Sequence, residues 1–110
     1  MHQENKYIIN ELNLCVAECN HCFNECLNEK DIAMLARCIK LNRECADICQ
    51  LTASILARGS EHTHLFLNVC ATICSACAEE CTRHSHEHCK ICSSICKKCA
   101  NACNASIMAS

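Results

Sequence analysis

The 110-residue chain has no proline, one glycine (Gly59) and three aromatic residues, Tyr7, Phe23 and Phe66. Small disulfide-stapled domains are rich in loops and need turn-forming residues, so this scarcity of proline and glycine excludes that class. Three aromatics are too few to anchor a conventional core. The formal net charge is -2, which points away from nucleic acid or an anionic membrane as partner. The start, "MHQENKYIIN", has no basic segment followed by an apolar stretch, so no secretory signal is expected. No run of about 18 apolar residues is evident, so no membrane span is expected either. The expected setting is therefore the cytoplasm. Thiols stay reduced there, and cysteine clusters more often bind metal or catalyse than form disulfides.

What the chain does have is sixteen cysteines, far above the usual share. Its length suits one compact domain over residues 1–110. Without helix breakers, long helices are the default. "LNEKD" offers Asp31 as a helix N-cap, "ARGSEH" offers Gly59 as a helix stop with Ser60 as the next cap, and "TRHSHEH" offers Ser85. These breaks predict helices over about 4–27, 31–58, 61–83 and 86–108. The short connections make neighbours antiparallel, giving an all-α, up-down-up-down four-helix bundle.

The cysteines follow helical periodicity. Cys15, Cys19, Cys22 and Cys26 step by four, three and four, which keeps them within about 60° on one helix face. Cys70, Cys74, Cys77 and Cys81 repeat that rhythm, and Cys89, Cys92, Cys96, Cys99 and Cys103 extend it. The second helix carries Cys38, Cys45 and Cys49, with Leu41 or Asn42 at a missing rung and Met34 and Leu56 continuing the stripe. Ile8 and Leu12 continue the stripe of the first helix. All sixteen cysteines thus fall on the seam of a packed bundle.

Thiols as mere filler would leave this core thin, at a cost of roughly 20–24 cal/mol per Å3 of cavity. Cysteines three or four apart on a helix have Cβ atoms about 5–6 Å apart, too far for a disulfide within one helix, which needs about 3.5–4.5 Å, and only bridges between helices stay open. That spacing suits a metal bridging two sulfurs. The CxxC pairs "CNHC", "CSAC", "CKIC" and "CKKC" bring iron–sulfur clusters to mind, but no proline follows them and they lie within helices instead of loops. Soft thiolates select Cu(I), zinc or iron–sulfur clusters. Zn2+ with four thiolates leaves a charge of -2, which is costly in a dry core. One Cu+ per thiolate is neutral, so about sixteen Cu+ would displace about sixteen protons and leave the core charge unchanged.

Together, the cysteine-lined bundle, the CxxxCxxCxxxC runs, "CNHC", "RECADIC" at 43–49 and "HSHEHC" at 84–89 resemble the bacterial cytosolic copper storage proteins. The resemblance covers essentially the whole chain. It implies Cu(I) held along the bundle axis by cysteine thiolates, many ions per chain, no enzymatic activity and a homotetramer. A copper chaperone or efflux protein is the implied exchange partner. Some relatives carry the cysteine ladder further toward the start of the first helix, where this chain has Ile8 and Leu12, so capacity at that end should be lower.

Antiparallel order gathers Cys26, Met34, Cys81, His84, His86, His88 and Cys89 at one mouth of the tube. Ile8, Leu12, Thr52, Leu56, Phe66 and Ile107 plug the other end. Cu(I) is expected to enter at the histidine mouth, with His84, His86, His88 and Met34 as exchangeable ligands. His21, His62 and His64 read as surface residues. His2 is a weak candidate metal ligand with the N-terminus. Glu79–Glu80 and Lys97–Lys98 read as solvated faces. Three other functions compete: iron–sulfur electron transfer, thiol redox chemistry, and zinc or cadmium detoxification. The apo bundle is expected to be helical before metal arrives, unlike a zinc finger.

Overall fold

The computed structural model describes the backbone of residues 2–109 and the side chains of residues 5–109. The helices are α1 (His2–Leu27), α2 (Ala36–Ala57), α3 (Thr63–Thr82) and α4 (Glu87–Ala109), and a 3-10 turn (Ile32–Leu35) leads into α2. No strand occurs among the described residues. Each helix packs on the next, and α1 packs on α4. The result is an antiparallel four-helix bundle, 45 × 20 × 19 Å. At 1.5 Å per residue, the 26 residues of α1 run about 39 Å, nearly the whole length of the bundle. His2 falls outside the described side chains.

The core follows the predicted stripes. All sixteen cysteines are buried and unpaired by disulfides. Among the largest fully buried side chains are Leu12, Leu35, Leu56 and Leu67. Leu12, Leu56 and Leu67 close the end away from the histidines, together with Ile8. Phe66 is only half-buried, so the expected plug residue is corrected to its neighbour Leu67. Leu67 stands three residues before Cys70, which puts it on the same helix face.

The second helix also begins later than expected. Residues 32–35 form a 3-10 turn, which advances about three residues per turn instead of 3.6. That tighter winding turns Leu35 inward and leaves Met34 76% exposed. Asp31 makes no capping hydrogen bond. Its carboxylate accepts from Nε2 of His86 instead, at 3.0 and 3.1 Å. Ser60 lies two residues before the His62 cap of α3, where its hydroxyl accepts the His62 N–H at 3.0 Å.

The α2–α3 connection forms as the sequence predicts. Gly59 has φ 66°, the left-handed region where a side chain would be strained. Gly59 N–H donates to the Leu56 carbonyl at 3.1 Å, and Ser60 N–H donates to Ile55 at 3.2 Å. This pair of bonds is the Schellman stop.

By length and composition alone, α3 is long and apolar enough to cross a membrane. It is still not an unbroken apolar run, because Asn68, Thr72, Ser75, Glu79 and Glu80 interrupt it. Seam residues supply only part of that hydropathy: Leu67, Cys70, Cys74, Cys77 and Cys81 are turned into the bundle, whereas Leu65 and Val69 are exposed.

Candidate metal centre

Every helix contributes one wall of thiols, because each seam repeats every seven residues and the bundle faces those seams toward one axis. The Sγ atoms lie close across helices. Cys19 and Cys96 are 3.5 Å apart, Cys45 and Cys74 3.5 Å, Cys49 and Cys74 3.5 Å, and Cys38 and Cys81 3.6 Å. A disulfide would require about 2.05 Å, so these are thiol contacts.

The thiols form overlapping sets whose members lie within 4.8 Å of one another. They include Cys15, Cys49, Cys74 and Cys99; Cys15, Cys19, Cys45 and Cys96; Cys19, Cys77, Cys92 and Cys96; Cys22, Cys26, Cys38 and Cys89; and Cys22, Cys81 and Cys92. Cys15, Cys19, Cys22, Cys92 and Cys96 each belong to at least two sets. A sulfur shared between two sets is placed to bridge two soft ions, so the geometry is a continuous ladder, not a row of separate sites. Cys70 and Cys103 sit at the closed end with Cys99. Hydrogen bonds with Cys70 and Cys99, together with burial, raise the Cys103 thiol.

One oxygen faces the middle of the tube. Asn42 fills the missing rung of α2 and is fully buried, whereas Leu41 is half-buried. Its Oδ1 accepts from Cys77 at 3.5 Å, Cys92 at 3.5 Å and Cys81 at 3.8 Å. Its Nδ2 donates to Cys38 at 3.8 Å. Asn42 joins the thiols as a polar residue of the site, and the steps 38, 42, 45, 49 keep the seam rhythm. One seam step beyond Cys49, Thr52 is also fully buried, and its hydroxyl has no hydrogen-bond partner. Such a group costs about 1–3 kcal/mol. The hydroxyls of Thr72 and Thr82 instead donate to carbonyls one turn back.

The mouth separates the predicted histidines. His88 alone meets thiols. Its Nδ1 lies 3.4 Å from Cys22, 3.6 Å from Cys89 and 3.9 Å from Cys26, while its Nε2 donates to Glu29 at 2.7 Å. His86 stacks on His88 with ring centroids 5.3 Å apart. Both ring nitrogens of His86 face carboxylates, Nδ1 at 3.2 Å from Glu29 and Nε2 at 3.0 Å from Asp31. His84 lies 2.8 Å from Glu80.

Glu80 was read as part of a solvated face, but it is 5% exposed. Arg37 and Arg83 also hold it, at 2.8 and 3.1 Å. Burial raises its carboxyl, but the hydrogen bonds from His84 and Arg37 outweigh burial and leave it below the usual range. His21, His62 and His64 are exposed.

The mouth thiols are unequal. Hydrogen bonds with Cys38 and Cys81, and then with His88, pull Cys22 down to about 6. Burial first, and then charge on Cys22, push Cys26 and Cys89 up. The most acidic thiol of this group thus sits against the imidazole of His88.

Comparison with known proteins agrees with this geometry. The cysteine-rich protein YhjQ of Bacillus subtilis (strain 168), itself uncharacterized, is 45% identical over 67 residues, covering 61% of this chain and 62% of that protein. That match spans less than two thirds of the relative's length. The solved Cu(I)-bound copper storage protein BsCsp3 is 39% identical, with TM-score 0.90 over 93% of this chain and 96% of its own. A cytosolic copper storage protein from Streptomyces lividans, solved with five coppers, is 37% identical, with TM-score 0.93 over 96% of this chain and 93% of its own. The model of the family described as copper storage protein matches residues 1–108, and the chain belongs to that family.

Proposed function

We propose that this chain is a high-capacity store for Cu(I), a binding protein and not an enzyme. One observation carries the reading: all sixteen cysteines are buried and free, and at least fourteen of them sit in overlapping sets within 4.8 Å, so neighbouring ions would share ligands. Catalysis calls for one ligand set with an open coordination position. Shared, mutually bridging thiols suit capacity. Charge favours a monovalent ion in the interior of the tube, because one Cu+ per thiolate keeps a dry core neutral. The soft donor set selects the same ion.

Cu(I) enters and leaves at the mouth. His88 is its first contact with the thiols, and His84, His86 and the exposed thioether of Met34 stand outside it. The opposite end is closed by leucines. The working compartment is the cytosol, and a copper chaperone or efflux protein exchanges metal at the mouth. Four copies assemble as a homotetramer, in keeping with the family resemblance.

Metal analysis of the protein purified from copper-supplied cells tests this reading. Copper should exceed zinc and iron several-fold, with no labile sulfide. Iron together with sulfide, and no copper, would assign the tube to electron transfer instead.

A further inference from the structure

The donor set at the mouth differs from the rest of the tube. Three sulfurs and one nitrogen converge there: Cys22, Cys26 and Cys89 stand 3.4, 3.9 and 3.6 Å from Nδ1 of His88. The Cys22 and Cys26 sulfurs are 3.9 Å apart, and the Cys89 sulfur lies within 4.8 Å of both. A tetrahedral zinc ion, with bonds of about 2.3 Å to sulfur and 2.0–2.1 Å to nitrogen, needs S–S edges of about 3.8 Å and S–N edges of about 3.6 Å. The metal-free side chains already stand close to those edges.

Charge separates this set from the interior. Four thiolates around Zn2+ leave -2, whereas three thiolates and a neutral imidazole leave -1. That smaller excess sits at the end of the tube and not in its dry middle; Arg37 and Arg83 are already held by Glu80. The outer contact fits as well. Glu29 accepts a hydrogen bond from the Nε2–H of His88 at 2.7 Å, which leaves the Nδ1 lone pair facing the sulfurs. Such an acidic partner fixes the tautomer and raises the basicity of a metal-bound imidazole. A fourth thiol, Cys38, lies within reach of the same sulfurs, but it is turned toward Cys81 at 3.6 Å and Asn42 at 3.8 Å.

We propose that the mouth is a site for one zinc ion, bound by Cys22, Cys26, Cys89 and Nδ1 of His88 and steadied by Glu29. The ion ties the last turns of α1 to the first turn of α4 and closes the tube while copper is scarce. Arriving Cu(I), which thiolates hold more strongly, displaces it. The zinc site itself stands on the mouth geometry alone, and its displacement by Cu(I) rests on the storage reading.

The test is an anaerobic titration of the reduced, metal-free protein with Zn2+ against a competing chelator, repeated with Co2+ as a spectroscopic stand-in. The expected result is one Zn2+ per chain bound well above any other, with a tetrahedral Co2+ spectrum. X-ray absorption of the one-zinc form should fit three sulfurs and one nitrogen. Glu29→Gln should weaken zinc by about 10–100-fold, and His88→Ala should weaken it further, with helicity checked by circular dichroism. No tight zinc, several equal sites, a four-sulfur shell, or unchanged affinity in both variants would overturn the proposal. A Cu(I) titration of the wild-type protein keeps the two readings apart. One tight zinc with few coppers would sink storage and leave the mouth site standing, and many coppers with no tight zinc would do the reverse.

Discussion

A variant with Cys15, Cys19, Cys45 and Cys96 all replaced by alanine should lose between about a quarter and a half of the wild-type Cu(I) capacity while keeping its helices. These four sulfurs form one set within 4.8 Å. At one Cu+ per thiolate, their removal alone takes away about a quarter of the ions. The loss should exceed that fraction, because the set is shared. Cys15 also completes the set with Cys49, Cys74 and Cys99, and Cys19 and Cys96 complete the set with Cys77 and Cys92. Both neighbouring sets would be left short of bridging sulfurs. Alanine is the suitable replacement, since four buried serine hydroxyls would each need a hydrogen-bond partner. Chelator competition gives the capacity, and circular dichroism shows that the bundle persists. A variant that still binds the full complement would place copper outside the tube.

The second large effect concerns the metal-free fold. Leu12→Ala and Leu56→Ala should each destabilise the apo protein by about 2–5 kcal/mol, measured by denaturant unfolding under reducing conditions. Single cysteine-to-alanine changes in the mid-tube should cost much less. A thiol buries little apolar area, so the aliphatic contribution is concentrated in the leucines. Leu12, Leu56 and Leu67 lie at the closed end and Leu35 at the mouth, and each is at most 2% exposed. The tube is thus stapled at its two ends and thinly filled between them. Such a core has room for ions, provided that the ends hold. If the leucine variants proved as stable as the wild type, the mid-tube thiols would be carrying the apo fold.

The bundle and its wall of thiols were legible in the sequence because cysteine recurs at steps of three and four on every helix, and burial follows that period to the last residue. Gly59 was equally legible, since the helix stop needs φ above zero and the chain has one glycine to supply it. Errors clustered where winding departs from 3.6 residues per turn. The 3-10 turn at 32–35 rotates Met34 out and Leu35 in, which no count at 100° per residue anticipates.

Side-chain competition was hidden as well. Asp31 reads as a cap until His86, 55 residues away in sequence, claims its carboxylate. Glu80 reads as solvated until Arg37 and His84 converge on it. The three histidines of "HSHEH" look equivalent as a string. Only the fold turns one toward the sulfurs and two toward carboxylates. Asn42 left a trace, an amide on the seam rhythm, but choosing it over Leu41 required the rotation of α2 to be known.

The most direct test of the account is the number of Cu(I) ions held per chain at saturation, measured anaerobically on the reduced apo protein against a competing chelator. The account predicts tight binding that approaches one ion for each of the sixteen cysteines. Saturation at about four ions or fewer, or Cu(I) binding weaker than that of Zn2+ throughout, would contradict it.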